Sequence, residues 1–124
     1  MAETWTFDDA TEPLTADAVV GELRARIAGE RYESWLTSSS GRLLAVVTNA
    51  ERAMVMLLDH EGDPGEHATD PAAEGSSGGF VLSNGQDDEY PDQDTVPLPL
   101  ALQIVRHIVA HGTPPADAAW TTDR

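Results

Sequence analysis

"RLLAVVTNAERAMVMLLD", from Arg42 to Asp59, decides the fold. Two continuous apolar runs, RLLAVVTN and RAMVMLLD, flank the polar step Asn49-Ala50-Glu51. Runs this short, rich in Val and Leu and bounded by turn residues, read as well-buried strands joined in an antiparallel hairpin. Strands so apolar need cover, and the flanking sequence supplies it.

Upstream, "TWTF" (Thr4 to Phe7) alternates polar and aromatic residues and suits a short half-buried strand. Thr15 is a good N-cap, Asp17 falls in a first turn, and Val19, Val20, Leu23 and Ile27 recur at helical spacing up to Gly29. A helix is predicted from Ala16 to Ala28. "YESWLTS" then sets Tyr32, Ser34 and Leu36 on one side and Glu33, Trp35 and Thr37 on the other. The link from Ser38 to Gly41 turns that strand back into the hairpin.

Downstream, "DHEGDPGEHATDPAAEGSSGG" (Asp59 to Gly79) is Gly, Pro, Ser, Ala and acid, and reads as a mobile surface loop. "FVLSN" resumes as a strand, and "GQDDEYP" reads as a turn or short edge strand. The second helix is expected from Pro97 to His111, with Leu98, Ala101, Leu102, Val105, Ile108 and Val109 as its buried stripe. Gly112 and Pro114-Pro115 end it. The expected fold is one α+β domain over residues 1–124. An antiparallel sheet of four or more strands carries two helices on one face, in the order β-α-β-β-β-β-α.

The charge balance narrows the function. Asp and Glu number 22 against 7 Lys and Arg, a formal net charge of −15. Such a surface repels phosphate backbones and anionic lipid, so neither nucleic acid nor membrane is an expected partner. A basic protein is. All seven basic residues are Arg, which also fits a GC-rich genome, and adaptation to high salt would likewise raise acidity. The distribution is more specific: no Lys or Arg stands between Arg52 and Arg106, where 11 of the 22 acidic residues lie. Asp87, Asp88, Glu89, Asp92 and Asp94 crowd around Tyr90 just before the second helix. The chain has no Cys, its N-terminus lacks a basic-then-apolar leader, and its apolar runs are too short to cross a bilayer. These features predict a cytoplasmic protein.

Motifs of catalysis and metal binding match only on paper. "GSSGG" fits G-x-S-x-G around Ser77, but that elbow needs a strand before it and a helix after it. Asp59, Glu61 and Asp63 have the alternate spacing of a calcium loop, yet Pro64 stands where Gly is required and Asp70 where a bidentate Glu belongs. His107 and His111 share a helix face, but Ile108 replaces the Glu of H-E-x-x-H. No catalytic residue, metal or cofactor is predicted. The protein is expected to be no enzyme.

The segment "FVLSNGQDDEYPDQDTVPLPLALQIVRHIVAHGTPPADAAW" is similar to the Imm-one family of bacterial immunity proteins. The features in common are a strand, Gly85, the acidic-aromatic-Pro turn DEYP, a VPL helix start, HGTPP and a late Trp120. The likeness covers roughly the C-terminal third; elsewhere it is one of layout, with a helix after LTAD and apolar strands containing Trp35. It implies a cytoplasmic antidote that covers the active-site cleft of a cognate polymorphic toxin, often a nucleic-acid deaminase. The expected partner is then a basic toxin domain, bound by a monomer or weak homodimer. Asp87, Asp88, Asp92 and Asp94 are candidate mimics of a phosphate backbone. Tyr90 is either an aromatic anchor or, with Glu89 and Pro91, a turn-fixing residue. Trp120 is expected in the core. An acidic DNA-mimic regulator is the alternative, but it would spread two rows of carboxylates over a large surface. A non-catalytic interaction domain is the other.

Overall fold

The computed structural model describes residues 3–123. β1 (Trp5–Phe7) leads through α1 (Ala16–Ala28) to β2 (Glu33–Ser38), β3 (Leu43–Thr48) and β4 (Arg52–Leu58). β5 (Glu66–Ala68), β6 (Ser76–Val81), β7 (Asp87–Pro91) and a 3-10 turn (Asp92–Asp94) follow. The two-residue β8 (Val96–Pro97) runs into α2 (Leu98–His111), and β9 (Trp120–Thr122) comes last. The main sheet is antiparallel in the order β1-β2-β3-β4-β5-β9, with β8 also on β4; β6 and β7 form a separate ribbon. The α+β class, the two helices and the order of the principal elements are those the sequence predicts.

The central hairpin pairs Leu43 with Leu58 through to Thr48 with Ala53. Its turn holds Ala50 at a φ of 76°, a left-handed conformation that costs an L-residue roughly 1–2 kcal/mol. Side chains on either side offset the strain. Asn49 Oδ1 accepts the N–H groups of Glu51 (3.0 Å) and Arg52 (2.8 Å), and Thr48 Oγ1 accepts that of Ala50 (3.0 Å).

Leu44, Val46, Ala53, Val55 and Leu57 join Val19 and Leu23 of α1 and Ala101, Ile104, Val105 and Ile108 of α2 in one core. Ala45 and Val47 turn to the other side of β3 and are buried as well. The ribbon covers that side: β6 packs beside β3, and Ser83 N–H donates to Glu33, the cross-strand partner of Val47 (2.9 Å). Cover on both faces explains why β3 is apolar throughout. In β4 the buried residues alternate with half-buried Met54 and Met56.

Both helices start and end for local reasons. Thr15 Oγ1 accepts the Ala18 N–H (3.3 Å) at the start of α1. α2 stops at Gly112, whose φ of 80° brings its N–H to Ile108 C=O (2.7 Å). Arg26 is an unexpected core member, only 9% exposed. Its guanidinium lies 4.0 Å over the Phe7 ring and donates to Asp9 (2.7 Å) and Glu22 (3.1 Å). Hydrogen bonds from Arg26 and then Arg31 hold the Asp9 carboxyl at about 2. Trp120 packs against the core from β9 and pairs with Ala68.

The Asp59–Gly79 segment, read from its composition as a mobile surface loop, includes strand residues. It contains β5, placed between β4 and β9, and residues 76–79 of β6. A three-residue strand is held by backbone ladders on both sides, so one fully buried side chain, Ala68, suffices. Asp63 is also buried, and its Oδ2 accepts the Asp59 N–H (2.9 Å). Gly65 has a φ of 81°, and a Cβ there would come within 2.9 Å of Leu57 O. Low apolar content misled because backbone pairing, not side-chain burial, holds this stretch. The stretch from Asp87 to Asp94 is β7, the short edge strand that GQDDEYP allows, followed by the 3-10 turn.

Candidate functional site

The six acidic-segment candidates divide into two groups with different surroundings. Asp87, Asp88, Glu89 and Tyr90 lie on β7, where alternation leaves Asp87, Glu89 and Pro91 exposed and Asp88 and Tyr90 half-buried. Phe80, fully buried on β6, meets Tyr90 edge-on with ring centroids 4.9 Å apart. Tyr90 O–H donates to Asp88 (2.9 Å), which also accepts from Gln86 Nε2 (2.6 Å). Burial, reinforced by the Asp88 carboxylate, pushes the Tyr90 phenol up to about 12. Tyr90 is thus a neutral donor braced on Phe80, and it fixes one face of the ribbon. Asp87 Oδ1 accepts the Gly79 N–H (3.2 Å) across the ladder.

Asp92 and Asp94 turn toward the body of the protein. Asp92 Oδ1 accepts from Ser77 Oγ (2.6 Å) and lies 3.8 Å from Arg52 Nε. Arg52 also donates to Thr95 Oγ1 (2.8 Å), to Asp70 (2.8 Å) and to the carbonyls of Asp92 (3.1 Å) and Thr95 (3.0 Å). Asp94 lies 3.1 Å from His67 Nε2, while His67 Nδ1 lies 2.7 Å from Asp123. Burial of the His67 ring opposes its protonation, and the carboxylates of Asp123 and Asp94 more than offset this, so its pKa is raised. Arg52 and His67 hold this segment by contacts that local pattern does not reveal. Only the fold brings them to the 3-10 turn.

No ion pair reaches the carboxylates of β7 among the described residues. Arg26, Arg31, Arg42, Arg52 and Arg106 are each paired with carboxylates elsewhere in the chain. β7 therefore presents its negative charge without compensation.

The catalytic and metal motifs find no matching geometry. Ser77 sits within a strand and donates to Asp92, so it forms no strand-to-helix elbow. The rings of His107 and His111 lie 4.6 Å apart beside a cleft of about 790 Å³ between α2 and the Pro115–Ala119 loop. His107 Nδ1 is engaged with Thr113 C=O at 2.7 Å. Among the described residues no three His, Asp or Glu side chains converge as a metal site. No described helix is long and apolar enough to cross a membrane.

A profile of the family described as Immunity protein Imm1 matches residues 6–122. The chain belongs to the Imm1 immunity protein family. The match extends the likeness of the C-terminal third back through α1 and the central hairpin, over nearly the whole chain. Comparison with curated proteins gives no match. The Imm1 assignment makes this an immunity protein and implies that it binds a cognate toxin protein.

Proposed function

We propose that this Imm1 protein acts in the cytoplasm, where it neutralises a polymorphic toxin by laying the β6–β7 ribbon into a basic, active-site cleft of the toxin domain. A nucleic-acid deaminase is the toxin class that best fits, because a cleft that binds phosphates also binds carboxylates. The observation that carries this reading is the uncompensated charge of β7. Asp87 and Glu89 are exposed and Asp88 is half-exposed, while five arginines are spent on other carboxylates. Asp92 and Asp94 contribute by bracing the ribbon on Arg52 and His67, and Tyr90 by stiffening it through Phe80 and Asp88.

The test uses the toxin domain encoded beside the gene for this protein. Cells producing that domain should survive when the wild-type chain is co-expressed. Asp87→Lys with Glu89→Lys should abolish protection and slow association most at low salt, where the wild-type rate is highest and falls steeply as salt is added, since lost steering acts on the on-rate. The melting temperature should hardly move, because both side chains are exposed. If the double variant protects fully and associates at the wild-type rate at two ionic strengths, the ribbon is not the interface.

A further inference from the structure

The backbone of β7 carries information that its side chains do not. At one end of the ribbon Leu82 N–H donates to Gln86 C=O (2.8 Å), and at the other Asp92 N–H donates to Gly75 C=O (3.0 Å). Backbone polar groups alternate sides along an extended strand. Gln86, Asp88, Tyr90 and Asp92 therefore turn theirs toward β6, in keeping with the pairs Phe80 with Asp88 and Ser77 with Tyr90. Between those pairs Gly78 and Gly79 together oppose Glu89, so the bulge lies on β6 and β7 stays regular. Asp87 and Glu89 consequently aim N–H and C=O away from the ribbon, and Pro91 its C=O.

No strand pairs with that outer edge among the described residues. The two ends of the main sheet are less suited to a partner. Leu14 N–H closes β1 by donating to Trp5 C=O (3.0 Å). β9 is three residues, Trp-Thr-Thr, with no charge to select what docks. On β7 the carboxylates at Asp87, Asp88 and Glu89 repel a second copy of the same edge, the usual guard against self-pairing. They leave it open to a strand of opposite charge. Val81, 38% exposed and directly across from Asp87, adds apolar contact on the same face.

We infer that the outer edge of β7 receives, by strand addition, an extended Lys- or Arg-bearing segment of the partner. The inference rests on the toxin-binding reading and specifies how the toxin is held. Backbone bonds to Asp87 and Glu89 set the register, and cations of the added strand lie beside the three carboxylates. Like charge excludes self-association by the same route.

Amide exchange of the full-length chain, alone and with the toxin domain encoded beside its gene, tests it. In the free protein the Asp88 and Tyr90 amides should be protected, while those of Asp87 and Glu89 exchange fast. In the complex Asp87 and Glu89 should slow by about tenfold or more. Glu89→Pro removes one outward N–H and should weaken binding about tenfold beyond Glu89→Gln, which removes only the charge. If Glu89→Pro disturbs the Phe80–Asp88 ladder, the wild-type exchange pattern decides alone. A toxin that binds while Asp87 and Glu89 exchange as in the free protein overturns strand addition and leaves the immunity reading standing. A toxin domain that neither binds nor is neutralised overturns both.

Discussion

Two hairpins of this molecule have the same topology and opposite roles. β3 and β4 are joined by a short polar turn and bury Leu44, Val46, Val55 and Leu57 against the helices. β6 and β7 are joined by a Gly85 turn, bury Phe80 and expose carboxylates along β7. In the first, side-chain burial supplies the stability and the strands carry a single charge, Arg52 at the start of β4. In the second, a single aromatic contact anchors a strand whose remaining chemistry faces outward. On the proposed reading, such a sheet element serves by what it exposes, provided another element anchors it. Here the anchor is Arg52, at the start of β4, which binds Asp70, Thr95 and the Asp92 carbonyl.

The contrast breaks most visibly in the core. Leu44 is fully buried, so Leu44→Ala should cost about 2–5 kcal/mol of unfolding free energy. Glu89→Ala, on the exposed edge, should leave the urea midpoint nearly unchanged. Equal losses in the two variants would mean that the ribbon shares the core's stability and is no separate display element.

Cutting the tie between the hairpins sharpens the comparison at a smaller scale. Arg52→Met should cost about 2–3 kcal/mol, because it strands Asp70 and two carbonyls with 20% side-chain exposure at the arginine. Amide exchange should then rise first at Ser77, Asp92 and Thr95, with Val46 and Val55 still protected. Uniform loss of protection would show that Arg52 supports the whole fold.

The sequence makes the first hairpin legible and half conceals the second. Continuous Val and Leu runs announce β3 and β4, and helical spacing places α1 at its observed bounds. β5 escapes that logic because its ladder needs only Ala68 in the core. In the acidic segment, Asp87 to Asp94 read as a chain of equivalent carboxylates with no cation nearby. Folding separates them, because strand alternation exposes Asp87 and Glu89 while Arg52 and His67, from 40 and 27 positions away in the chain, claim Asp92 and Asp94. Charge density was visible along the chain; which charges remain uncompensated depends on contacts between distant residues.

The smallest expected effect tests the second of those long-range ties. His67 has 13% side-chain exposure, with Asp94 on Nε2 and Asp123 on Nδ1. A neutral imidazole donates from one nitrogen only, so the cation alone satisfies both carboxylates. Its folded pKa lies above the ordinary 6.5, with burial opposing the shift and the two carboxylates exceeding it. For a raised pKa the stabilisation is fully present below 6.5 and is lost as pH rises through the folded value. Between those two values the slope is limited to about 1.4 kcal/mol per pH unit for one proton. Unfolding free energy measured from pH 6 to pH 9 should therefore fall with pH, and His67→Gln should remove this part of the slope while lowering stability at pH 6. Because Asp94 ends the 3-10 turn behind β7 and Asp123 follows β9, the amides of Thr95 and Asp123, which donate to Asp92 C=O and Gly65 C=O, should lose protection together as His67 deprotonates. If wild-type and His67→Gln curves run parallel across this window, His67 does not hold the turn by its charge. The ribbon would then depend on Arg52 and Phe80 alone.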